Sequence, residues 1–136
     1  MKIFTDGAYS SLRNKGGYSF VVLENGKFTK FYCKAKGNTT NQQTEILAVI
    51  SAFKYIIKNN LSAEIVTDSM YVVGTATKDW KINANIELWD EFFEYYRIIK
   101  HRVSFTHTRG HQTDNSENTQ GNNLADMFAV FASDYG

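Results

Sequence analysis

The chain has 136 residues, 43% hydrophobic and 15% aromatic, with 15 basic side chains against 14 acidic for a net charge of +1. That length supports one domain, residues 1–136, burying roughly two thirds of its unfolded surface without disulfides; the lone Cys33 has no internal partner, which fits a reducing compartment. No charged leader or membrane-length apolar stretch is seen, so a cytoplasmic protein with no membrane partner is expected, while the near-neutral charge leaves bulk electrostatics silent about nucleic acid.

Residues 2–6 read as a first strand ending on Asp6. The stretch GGYSFVVLENGKFTKFYCK, 16–34, predicts a hairpin in which Asn25 and Gly26 supply the φ > 0 positions of a type I′ turn. Gly16 and Gly17 are read as the turn into its first strand, and Cys33 as a strand residue without chemistry. From Thr40, apolar residues recur at Ile46, Val49, Ile50, Phe53, Ile56 and Ile57, one face of a helix; Thr40 with Gln43 forms a capping-box pattern at its start, and Asn59 and Asn60 close it. The strand AEIVTD follows directly and is predicted parallel to the first through a right-handed crossover.

A short helix is expected near SMYVVGTATKDW, then a longer one with Leu88, Phe92, Tyr95 and Ile99 on one face. RVSFTHT reads as a further strand. Residues 110–123 contain no aliphatic or aromatic side chain and read as an exposed loop; a last helix is expected from about Asn122, with Leu124, Met127, Phe128 and Phe131 facing the core.

Both IFTDG and AEIVTDS run apolar, apolar, Thr, Asp, so Asp6 and Asp68 fall at one edge of the expected sheet, where α/β sheets bind ligands. Like charges brought together there cost free energy unless a cation lies between them. Glu45 and Asp126 each adjoin the apolar stripe of a helix, and four oxygen donors from two strands and two helices suit a hard divalent cation. His107 and His111 stand four apart in a stretch that reads as strand, and no cysteines complete a zinc set.

In order, TDG at Asp6, TTNQQTEILAVISA around Glu45, VTDSMYV around Asp68, NIELWDEF at 85–92, RGH at 109–111 and NNLAD ending at Asp126 resemble the landmarks of type 1 ribonuclease H, from residue 3 to about residue 130. The resemblance implies an α/β fold: a five-stranded mixed sheet in order 3-2-1-4-5, strands 1 to 3 antiparallel, with helices on both faces. It implies hydrolysis of the RNA strand of an RNA/DNA hybrid, leaving 5′-phosphate and 3′-hydroxyl ends. Asp6, Glu45, Asp68 and Asp126 would hold two Mg²⁺ ions, or Mn²⁺ in their place. A monomer acting on a hybrid duplex is the expected form; a related integrase or resolvase, or an inactive hybrid-binding module, is the alternative.

By the same resemblance, Asn41 and Gln42 would contact the hybrid near the cut, and Thr40 with Asn85 would hold a DNA-strand phosphate, though both also suit helix capping. After Asp6, Leu12 stands where an amide is common, with Asn14 as its substitute, and Asn38 stands where some members carry a basic phosphate contact. Only Lys78 and Lys81 remain of a basic protrusion, while Trp80 has two readings, stacking on a DNA-strand sugar or core packing.

His111 matches a histidine that aids proton transfer or product release rather than holding metal. His111→Ala is therefore expected to slow turnover by about 10- to 100-fold without stopping it. Single-turnover and steady-state rates check this, and either complete loss or an unchanged rate contradicts the role.

Overall fold

The computed structural model describes residues 1–110 and 112–135. In chain order these form β1 (Lys2–Ser10), β2 (Lys15–Glu24), β3 (Lys27–Lys34), α1 (Asn41–Lys58), β4 (Ala63–Thr67), α2 (Met70–Thr77), α3 (Ile86–Ile99), β5 (Val103–His107) and α4 (Glu117–Tyr135). The sheet order is β3-β2-β1-β4-β5. β1 to β3 pair antiparallel and β4 runs parallel to β1, as the sequence predicts, and β5 runs parallel to β4. Asn25 and Gly26, with φ of 53° and 76°, make the two-residue turn between β2 and β3; both positive angles suit the twist of the flanking strands.

Because β1 is central, it is buried on both faces. Ile3 packs with Val22, Ile65 and the apolar faces of α1 and α3, whereas Phe4 packs with Val21, Leu23, Val66 and Ala125 of α4. Each fully buried aliphatic or aromatic side chain here contributes about 1.5–3 kcal/mol. Helix α1 starts where expected, the Thr40 hydroxyl accepting the Gln43 N–H at 3.1 Å. The reciprocal half of the capping box is absent, since the Gln43 side chain meets Thr39 and Asn85 instead. At the other end Asn60 adopts φ of 53°, and the Asn60 and Leu61 N–H groups bond to the Ile57 and Ile56 carbonyls, a Schellman closure.

Four sequence expectations are corrected. β1 does not stop at Asp6 but runs to Ser10, because Ala8, Tyr9 and Ser10 pair with Gly17, Gly16 and Lys15. The two glycines therefore lie within β2 and not in a turn. On α3 the buried residues are Trp89, Phe92, Tyr96 and Ile99; Leu88 and Tyr95 are only half-buried, so the face is rotated from the one expected.

The largest correction concerns α4, which begins at Glu117 and not near Asn122. Ser116 caps it, its hydroxyl accepting the Thr119 N–H at 3.2 Å, so much of the stretch read as exposed loop is helix. Its buried face consists of Thr119, Gly121, Asn122, Ala125, Ala129, Ala132 and Ser133, while Met127 and Phe131 are 54% and 41% exposed. Small side chains let α4 lie close on β1 and β2. A Cβ on Gly17 would sit 2.5 Å from the Ala129 carbonyl oxygen, and the Ser19 hydroxyl donates to the Ala125 carbonyl at 2.5 Å. Phe128 and Phe131 pack on the outer side, against Tyr32 of β3.

Gly17→Ala should then force α4 away from the sheet and cost about 1–3 kcal/mol of stability. Urea unfolding measures it; a loss under about 0.5 kcal/mol would show that the helix does not depend on this close approach.

Candidate active site

Asp6 lies one residue past Thr5, whose partner Thr67 is the last parallel pair between β1 and β4, and Asp68 follows Thr67 directly. Strand alternation puts Asp6 on the Phe4 side of the sheet and turns Gly7 toward α1. A Cβ on Gly7 would lie 2.6 Å from the Glu45 amide nitrogen, so only glycine lets the first turns of α1 rest on the strand. The Gly7 N–H then faces two acids, Asp6 Oδ1 at 2.9 Å and Glu45 Oε1.

Ligand oxygens of Asp6, Glu45 and Asp68 lie within 4.8 Å of one another. Asp6 and Glu45 are 5% and 8% exposed, and Asp68 is half-buried. Burial, and next the charges of Glu45 and Asp68, push the Asp6 carboxyl far above the usual carboxylate range. Burial raises Glu45 as well, opposed by the hydrogen bond it shares with Asp6 and reinforced by the charge of Asp68. Burial and mutual repulsion thus favour the protonated forms of the two buried acids, which a cation would oppose. The donors are all carboxylate oxygens, the set expected for a hard divalent ion rather than zinc.

Asp126, on α4, is half-buried and outside the 4.8 Å group, though its charge adds to the raising of Asp6. His111 lies outside the described residues. His107 Nε2 is 3.3 Å from the Asp68 carbonyl oxygen, and Gly110 lies close over the Asp68 carboxylate, which a Cβ there would approach to 2.8 Å.

The other sequence-derived positions gather around the start of α1. Asn41 and Gln42 are exposed in its first turn, next to Thr40. Asn85 precedes α3 in the left-handed region, φ 58°, and makes no side-chain cap, contrary to the capping alternative. Its amide joins Gln43 Nε2 and the Tyr71 hydroxyl, each at 3.1 Å. Asn14, also at positive φ, donates to Asn38 Oδ1 at 2.7 Å and so ties the β1–β2 turn to the segment before α1. Trp80 is 45% exposed with its ring laid on Gly74 of α2, which falls between its two readings. Gln43 was read only as half of a capping box and Tyr71 was not singled out, because their bonds to Asn85 join residues 42 and 14 positions apart.

A family model described as RNase H matches residues 1–134. A ribonuclease H of Caldicellulosiruptor saccharolyticus is 32% identical over 130 residues, 85% of this chain and 87% of that protein. Among solved structures, the RNase H domain of prototype foamy virus is 26% identical, with a TM-score of 0.76 over 97% of this chain and 93% of its own. LC11-RNase H1, solved in complex with an RNA/DNA hybrid, shares the fold at 21% identity, with a TM-score of 0.76 over 98% and 96% of the two chains.

The ordinary values for Asp6 and Glu45 are 3.8 and 4.5. Since both are raised on folding, the folded chain binds more protons above those values, and stability falls as pH rises from the unfolded pKa through the folded one. Asp6→Asn should therefore raise the melting temperature in EDTA at pH 7 by about 3 °C or more, the shift that roughly 1 kcal/mol produces in a domain of this size, with the gap closing toward pH 4. A variant that melts below wild type at pH 7 would refute mutual repulsion in the cluster.

Proposed function

The chain belongs to the ribonuclease H family, and we propose that it hydrolyses the RNA strand of RNA/DNA hybrids at the carboxylate cluster of Asp6, Glu45 and Asp68, completed by Asp126. The observation that carries this reading is the convergence of three carboxylates, two of them buried, at the edge where β1 and β4 end their pairing.

The family implies dependence on a divalent metal, and the all-oxygen donor set fits one. Mg²⁺ is the ion proposed, with Mn²⁺ as its substitute; bound in a pair, such ions activate the attacking water and stabilise the departing 3′ oxygen. The chain's own groups prepare that chemistry. Asp6 and Glu45 would hold the ion as carboxylates, with the Gly7 N–H facing an oxygen of each. Asp68 enters from β4 and Asp126 from α4, so the ligand set joins both faces of the sheet. His111 is proposed to move a proton or release product.

Asn41 and Gln42, exposed one turn before Glu45, are proposed to read 2′-hydroxyls, which demand groups able both to donate and to accept. Thr40, Asn85, Asn14 and Trp80 are proposed further contacts along the duplex. The products would be 5′-phosphate and 3′-hydroxyl ends. We take residues 1–136 as one catalytic unit, monomeric and cytoplasmic. Among the described residues, no helix is long and apolar enough to cross a membrane.

A gel with an end-labelled hybrid, with and without Mg²⁺, tests the activity. Asp68→Asn should lower cleavage by at least about 100-fold with an unchanged circular dichroism spectrum, because an amide removes the charge that would bind the ion. Cleavage near the wild-type rate would overturn the role given to the cluster.

A further inference from the structure

In the order β3-β2-β1-β4-β5, β3 is an edge: its inner side pairs with β2, and among the described residues no strand pairs with its outer side. Backbone donors and acceptors are thus open along a strand of eight residues. Alternation sets Lys30, Tyr32 and Lys34 on the same face of β3, the one toward α4: Lys30 Nζ lies 5.1 Å from the Phe128 ring, and Tyr32 packs on Phe128 and Phe131. Those rings are not closed over. Tyr32 and Phe131 remain 47% and 41% exposed, and Tyr135, 5.3 Å from Phe131, continues them along α4. With Met127 and Val130 also exposed, α4 turns large apolar side chains away from the sheet while its alanines face the sheet, and a helix apolar on both sides has a contact still to make.

Charge narrows what could fill it. β3 carries three lysines and no acid, and Lys27, Lys30 and Lys34 are exposed and form no ion pair among the described residues. Lysines on an edge oppose a second copy, because two β3 strands side by side would bring their own ammonium groups together. An acidic strand meets no such cost. Stacking of nucleic-acid bases is opposed too, since the Tyr32 and Phe128 rings already cover each other at 5.3 Å and a sugar-phosphate backbone has no N–H to complete a strand ladder. Because Lys30, Tyr32 and Lys34 stand at alternate positions, the matching strand has acid, aromatic and acid at the same spacing, in either chain direction.

We propose that the outer edge of β3, with the open side of α4, docks an extended acidic segment of a partner protein that bears acid, aromatic and acid at every second residue. The segment would add one more strand to the sheet, its main chain on β3 and its ring against Tyr32 and Phe131. β2 separates this surface from the strand that carries Asp6, so the proposal stands apart from the ribonuclease H reading.

A fluorescein-labelled peptide with Glu, Phe and Glu at alternate positions and Thr between them, titrated with the full chain and followed by anisotropy, tests it. Wild type should bind the peptide, more weakly as salt is added, with amide hydrogen exchange slowed in β3. Lys34→Glu should bind about 3- to 10-fold more weakly with an unchanged circular dichroism spectrum, and a peptide with Lys in place of both Glu residues should recover part of the loss. Lys34 is the decisive position because Lys30 also rests on Phe128. The proposal is overturned by no binding of the peptide to wild type at millimolar concentration, by equal binding to wild type and Lys34→Glu, or by slowed exchange confined to other segments. Tighter binding of a single-stranded DNA of equal length at β3 would give the surface to nucleic acid instead, and sedimentation showing that the chain alone dimerises through β3 would give it to a second copy; either result overturns it as well.

Discussion

One backbone amide, the N–H of Gly7, faces the carboxylates of both Asp6 and Glu45, and the site is built outward from that contact. It exists because α1 rests directly on β1, an approach that a single Cβ at position 7 would block. Bringing two buried acids onto one donor is unfavourable for an isolated protein, since both carboxyls are driven toward their neutral forms. Under the proposed function the same feature gives the cluster its use, because a cation would relieve what burial and repulsion impose. Local stability and cation affinity would then be set against each other at this point.

The rest of the fold holds that contact in place. β1 is anchored by packing on both faces, with Ile3 toward α1 and α3 and Phe4 toward α4, and the small-residue face of α4 keeps Asp126 near enough for its charge to act on Asp6. Around the start of α1, side-chain bonds connect separate segments. Thr39, Gln43, Asn85, Tyr71 and Trp89 form one polar chain across α1, α2 and α3, and Asn14 with Asn38 does the same for the β1–β2 turn. A duplex substrate requires contacts spread over several nucleotides, and these bonds fix the relative positions of loops that would otherwise move independently.

Much of this was legible in the chain itself. Alternation located the strands, Asn25-Gly26 identified the hairpin turn, and Thr40 marked the start of α1, because each signal is local and its physical cause lies within a few residues. The acids at 6 and 68 were legible for the same reason, each ending a short apolar run. Choosing bulky apolar residues as the buried face failed for α4, where closeness to β2 favours alanine and glycine and sends Met127 and Phe131 outward. On α3 the apolar spacing was read one position early at two places, and Trp89 and Tyr96 take the core instead of Leu88 and Tyr95.

By itself, then, the sequence determined the order of elements and the direction of the first four strands, and it singled out four acids. The tertiary structure decided which of those acids meet. Asp6, Glu45 and Asp68 converge within 4.8 Å while Asp126 stands outside that group, and Asn85 turns its amide inward to Gln43 and Tyr71 instead of capping α3. Periodicity states which side of an element a residue occupies, but the separation of two side chains depends on how closely a helix lies on its sheet. Here that distance is set by the missing side chains of Gly7 and Gly17, whose neighbours in space are far away in the chain.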